Sequence, residues 1–123
     1  MCEIAFDFFR EVLPEAKWGD TDLVIERQMK SGIMRLFAVS LEVAWFHVTG
    51  SRAHVISPIL VKRHFGTSTG AYGTNKRAAL DLMVHLCEKH ETIHEAWIET
   101  CKNCDKIDDV ADSIIQALYF IQR

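Results

Sequence analysis

The feature that most constrains this chain is a strand, helix, strand pattern in its first half. Leu23, Val24 and Ile25 form a short apolar run that ends in Glu26, Arg27 and Gln28. A run this short, entered from a Gly19-Asp20 turn, suits a buried, parallel-type strand whose polar residues emerge at its C-terminal end. Ser31 can cap the helix that follows to about Val48, with Ile33, Leu36, Phe37, Val39, Ser40, Val43 and Ala44 along its inner side, until Gly50 stops it. A second short strand, Ala53 to Ile56, ends before Pro58. Strands joined through a helix in this order imply a right-handed parallel unit.

The flanks read as helices. Ile4, Phe8, Phe9 and Val12 recur at helical spacing before Pro14. Gly66 to Gly73, with three glycines and three hydroxyl residues, is a loop. Asn75 opens a helix to about His90 whose inner stripe is Ala79, Leu82, Met83 and Leu86. A helical or irregular piece spans Thr92 to Cys104. The last helix starts at Asp108, its natural N-cap, and carries Val110, Ile114, Ala117, Leu118 and Ile121 at helical spacing.

With 123 residues, 49% of them hydrophobic, the chain can bury one core, so a single globular domain is expected. The start, Met1 to Phe9, lacks a basic region and a cleavage site, and no run reads as a membrane span, so an intracellular protein without a membrane partner is expected. Cys2, Cys87, Cys101 and Cys104 are read as thiols. The net charge of -3 hides an uneven distribution. From Val43 to Leu80 there is no Asp or Glu, whereas Arg52, Lys62, Arg63, Lys76 and Arg77 all fall there.

Chemistry is suggested by the acids. Asp109 and Asp112 are three apart and share a face at a helix start that continues almost wholly apolar. The helix dipole favours acids in a first turn whatever their role, but two carboxylates kept on a buried helix are more readily explained if they hold a cation. Glu26 stands at the mouth of an apolar strand, where open α/β sheets bind ligands. A salt bridge to Arg27 or Lys30 is its structural alternative. Hydrolysis of a phosphodiester by two divalent ions needs carboxylates from different elements brought to ions about 4 Å apart. A competing set, Cys87, His90, His94, Cys101 and Cys104, has the spacing of a structural zinc site but lacks a second Cys-x-x-Cys. Trp18, Trp45 and Trp97 are assigned to packing.

Taken together, Leu-Val-Ile-Glu26-Arg-Gln28, Ile56-Ser-Pro58, Val61-Lys62-Arg63-His64-Phe65-Gly66, Tyr72, Asn75-Lys76-Arg77 and Asp108-Asp109-Val-Ala-Asp112-Ser resemble the RuvC-like Holliday junction resolvases of poxviruses and other large DNA viruses. The resemblance covers roughly residues 20 to 122. It implies an α/β, ribonuclease H-like fold, a mixed sheet flanked by helices, and symmetrical, metal-dependent nicking of four-way DNA junctions by a homodimer at the site of viral DNA replication. It also implies Glu26, Asp109 and Asp112 as catalytic ligands of Mg²⁺ or Mn²⁺. Lys62, Arg63, Lys76 and Arg77 would meet the DNA backbone, in keeping with the acid-free stretch.

The pattern is incomplete in one respect. The family's sheet opens with three strands, the first bearing an aspartate, and about 20 residues precede the strand of Glu26. Asp7 falls in a helix, and Asp20 and Asp22 lie at the wrong end of that strand. The expectation is an N-terminally truncated resolvase with impaired cleavage and an exposed apolar face that promotes association. The alternatives are a noncatalytic DNA-binding or dimerisation module and a zinc-stabilised interaction domain.

Overall fold

The computed structural model describes residues 2–28, 32–66 and 72–123, and for residues 2–6 and 72–75 the backbone alone. Helix α1 (Cys2–Val12) leads through Pro14 into a 3-10 helix (Glu15–Asp20), followed by strand β1 (Val24–Glu26), helix α2 (Gly32–Thr49) and strand β2 (His54–Ile56). Helices α3 (Pro58–Phe65), α4 (Tyr72–Lys89), α5 (Glu91–Cys101) and α6 (Ile107–Gln122) complete the chain. It divides into two compact units, Met1–Ser57 and Pro58–Arg123.

The expected ribonuclease H-like α/β fold is not what forms. The chain is 75% helical, with two short parallel strands, and belongs to a mostly helical class. The physical reason lies in the spacing of the apolar residues. Outside Leu23–Ile25 and Ala53–Ile56 they recur every three or four positions, so they bury themselves by helix–helix packing and leave only three-residue strands to pair. The strand, helix, strand unit itself forms. β1 and β2 run parallel with Val24 opposite His54 and Glu26 opposite Ile56.

In the first unit the core is aromatic. Phe9, Trp18, Ala44 and Trp45 are buried together, with Leu13, Leu23, Leu41, Val48 and Ala53 packed around them. The Phe9 ring meets Trp45 edge to face at 5.1 Å and Trp18 at 6.3 Å. The Trp18 indole N–H donates to the Leu13 carbonyl at 3.1 Å, which holds the 3-10 helix against the end of α1. This packing selects which side of α2 turns inward. Ser40, Ala44 and Trp45 are buried, and Ile33, Leu36, Val39 and Val43, expected on the inner side, are exposed. α2 carries apolar residues on both sides of a narrow strip that holds Arg35 and Glu42, so periodicity alone does not distinguish the two sides. By length and composition it would also pass for a membrane span, contrary to the sequence reading. Gly50 ends it in the left-handed conformation, φ 72°, with its N–H donating to Phe46 at 2.8 Å. The Ser31 cap lies outside the described residues.

The second unit buries Val61 of α3, Ala79, Met83 and Leu86 of α4, and Val110, Ala111 and Ile115 of α6. Its α4 stripe is the one the spacing indicates. Helix α3 has no counterpart in the sequence reading, although Pro58 is well suited to a first helical position, where its missing N–H costs nothing. α4 begins three residues before Asn75, inside the segment read as a loop. α5 is continuous and α6 starts at Ile107. Asp108 is therefore not the N-cap. That position is Lys106, with no side-chain capping bond, and Asp108 stands in the first turn.

Candidate nucleic-acid and metal site

In the first unit Glu26 is the last residue of β1, where the strand leaves the two-stranded sheet. The Arg27 N–H still donates to the Ile56 carbonyl at 2.9 Å, so the ladder extends one residue past Glu26. Gln28 then folds back, its side-chain amide donating to the Glu26 carbonyl at 3.1 Å. Arg35 of α2 donates from Nε to the Gln28 carbonyl at 3.1 Å and pins the strand exit to the helix. Glu26 thus lines a groove of about 330 Å³, with an apolar wall that includes Ile25, Ala38, Val39 and Val55, and with Arg35 and Glu42 among its polar lining. The sequence reading overlooked Arg35 and Glu42. Their seven-residue spacing on a helix, two turns apart, is the signal that would have placed them on one side.

In the second unit three carboxylates gather at the start of α6. Asp108 Oδ2 lies 3.1 Å from Lys76 Nζ of α4, and only 19% of the Asp108 side chain is exposed. The hydrogen bond from Lys76 is the main cause that holds the Asp108 carboxyl below the usual carboxylate range, against the opposing effect of desolvation. Asp109 faces solvent, paired at 3.4 Å with Lys106 on its own helix. Exposed pairs of this kind are weak. Asp112 stands at an exposed position on α6, yet its carboxyl is pushed up, first by desolvation and further by Asp109 and Asp108, while Lys62 and Lys76 pull it down.

The structure therefore brings Asp109, Asp112, Lys62 and Lys76 into one electrostatic neighbourhood, with Lys62 from α3, Lys76 from α4 and both acids from α6. Arg63 and Arg77 are exposed on α3 and α4. Glu26 belongs to the other unit. The side chains of Tyr72 and Asn75 lie outside the described residues. Lys76 was expected to meet DNA, and its ion pair with Asp108 is a role that spacing does not reveal, because the two residues are distant in sequence.

Two carboxylates one helical turn apart fit Mg²⁺ better than a caged ion such as Ca²⁺. Mg²⁺ keeps much of its water and takes one or two protein carboxylates plus substrate phosphate oxygens. Among the described residues no three of His, Cys, Asp or Glu converge into a group able to hold a metal by themselves. The same holds for the zinc set. Burial, and next the nearby Cys101, push the Cys87 thiol up. The Cys104 thiol donates to the Lys106 carbonyl at 3.7 Å. Comparison with known protein families, with characterised proteins and with solved structures finds no match to this chain.

Proposed function

We propose that the chain is related to the Holliday junction resolvases of large DNA viruses and acts on four-way DNA junctions, with Mg²⁺ or Mn²⁺ held by Asp109 and Asp112. The reading is carried by one observation: the two acids occupy the first turns of α6 beside Lys62 and Lys76. Carboxylates suited to a cation and ammonium groups suited to a phosphate lie within electrostatic reach of one another, as phosphodiester chemistry in a polyanionic substrate requires. Asp112 is partly desolvated and has like charges near it, so a cation there relieves an existing electrostatic cost. Glu26 ends strand β1 in the first unit, an end position like that of the acidic motif in the resemblance. Lys62, Arg63 and Arg77 supply cations for the DNA backbone, and a divalent ion bound at Asp109 and Asp112 would polarise the scissile phosphate.

A second reading is favoured by the absence, among the described residues, of any three converging donors. On that reading the chain binds junctions without cutting them. One experiment separates the two. A four-way junction and a linear duplex of the same sequence are incubated with the protein in Mg²⁺, Mn²⁺ or Ca²⁺, and both complexes and nicks are scored.

The resolvase reading expects junction-selective complexes and paired nicks in Mg²⁺ or Mn²⁺ that disappear in Asp109→Asn and Asp112→Asn. Junction-selective complexes without nicks support the binding module. Equal affinity for duplex and junction excludes both.

A further inference from the structure

The groove between α2 and the exit of β1 has the makings of a ligand site that no acid of α6 takes part in. Its volume of about 330 Å³ is at the small end of the roughly 300–1,000 Å³ of ligand pockets, which suits a small molecule and not a helix of another protein. It opens beside the C-terminal end of β1, where open α/β sheets take their ligands. In its apolar wall Val39 is 54% and Val55 36% exposed, so apolar surface is available for a ligand to cover.

The charges along the groove are divided by sign. Arg35 donates to the Gln28 carbonyl and therefore stands at the strand exit with Glu26 and Arg27, two arginines against one glutamate, so that end is net positive. Arg35 is also in the first turn of α2, where the helix dipole favours an anion. Glu42 is two turns further along the same flank, about 10.5 Å by helix rise, and its carboxylate has no hydrogen-bond or ion-pair partner among the described residues. The groove is positive at one end, apolar along its wall and negative at the other.

We propose that this groove binds a short zwitterionic peptide with an apolar side chain, its carboxylate at Arg35 and Arg27 and its ammonium group at Glu42. The length follows from the spacing. An extended chain advances about 3.3–3.6 Å per residue, so a tripeptide sets its two charged ends about 10 Å apart, as Arg35 and Glu42 are. Its middle side chain then covers Val39 and Val55. A nucleotide would bring its phosphate charge against Glu26 and Glu42, and a polyamine would meet Arg27 and Arg35, whereas a zwitterion matches both signs. The inference uses residues of the first unit alone and is independent of any activity on DNA.

The test is a titration of the whole ¹⁵N-labelled chain with the tripeptide Ala-Leu-Ala, followed by two-dimensional NMR. Saturable shifts are expected at the amides of Ile25, Val39 and Val55. N-acetylation and C-terminal amidation of the peptide should each weaken binding about three- to fivefold, the size of an exposed charge pair. Glu42→Gln should weaken the free peptide by the same factor and leave the acetylated one unchanged, and Arg35→Gln should do the same with the amidated one. A variant that merely distorts the fold would weaken every peptide alike.

No saturable shift, or shifts confined to other residues, overturns the proposal. So does an acetylated peptide that binds the wild type as tightly as the free one, a comparison that needs no variant to fold. Deoxyadenosine monophosphate and spermidine are titrated in parallel. Either one binding at these amides more tightly than Ala-Leu-Ala assigns the groove to an anion or a cation, which also overturns it.

Discussion

Lys76 Nζ sits 3.1 Å from Asp108 Oδ2, tying the first turns of α4 to the first turn of α6 inside the second unit. The pair is largely screened from water on the aspartate side and half open on the lysine side. It also orders the charges around the proposed DNA site. Asp108 takes one ammonium group for itself, and Asp109 pairs with Lys106 on its own helix.

The pair has a pH signature. Asp108 titrates below the usual carboxylate range because Lys76 hydrogen-bonds its charged form. Its contribution to stability is therefore complete above the ordinary aspartate value of about 3.9 and is lost as pH falls through the lowered one. Asp108→Asn should lower the melting temperature at neutral pH, and the deficit should close in acid. Thermal unfolding followed from neutral pH into the acid range checks this; a deficit unchanged with pH would show that the ion pair is not its source.

Asp112 has the opposite sign. Its carboxyl is raised, chiefly by desolvation, so its charged form costs stability at all pH values above the raised one, and the cost vanishes below about 3.9. Asp112→Asn is expected to raise the melting temperature modestly at neutral pH and to have no effect in strong acid. A variant less stable than the wild type at neutral pH would refute the desolvation argument.

Trp45 is 2% exposed and its indole N–H has no hydrogen-bond partner among the described residues. A buried donor left in that state costs about 1–3 kcal/mol, so removing it offsets part of the packing lost on truncation. Trp45→Phe keeps an aromatic ring and loses the N–H, so it should cost well under the value of about 3–5 kcal/mol typical of Trp→Ala in a core, and Trp45→Ala, which loses the same N–H, should fall at the low end of that range. Urea unfolding of both variants gives the comparison. A Trp45→Ala loss above that range would mean that the N–H carries no penalty.

Gly50 closes α2 at φ 72°, and a Cβ added there meets nothing within 4 Å. The expected cost of Gly50→Ala is therefore purely conformational, about 1–2 kcal/mol, with Asn costing less because it tolerates the left-handed region. Denaturant midpoints for Gly, Asn and Ala at this position should fall in that order. An alanine variant as stable as the wild type would contradict the left-handed helix end.

The elements were largely legible before any coordinates. Leu23–Ile25 and Ala53–Ile56, bounded by Gly50 and Pro58, announced two short strands joined by a helix, and the parallel register of Val24 with His54 follows that pattern. The Ala79, Met83, Leu86 stripe also turned inward as its spacing indicates. The sheet was over-read. Resemblance of the acidic motifs suggested a larger α/β architecture, but the remaining apolar residues have helical spacing, and helices satisfy their own backbone hydrogen bonds without neighbouring strands. Of the candidate site, the shared face of Asp109 and Asp112 could be read from their three-residue spacing. The Lys76–Asp108 pair could not.

What the sequence by itself determined is local: the two short strands and the helix between them, the shared face of Asp109 and Asp112, and that acids cluster at the head of α6 while cations fill the middle of the chain. Spacing settles these because each depends on neighbours within a turn or a strand. Tertiary structure decided which face each helix buries and which distant charges meet. Helix α2 makes the difference plain. With apolar residues on both sides, its sequence permits either orientation, and Phe9 and Trp18, arriving from other elements to enclose Ala44 and Trp45, turn Leu36, Val39, Val43 and Phe46 outward.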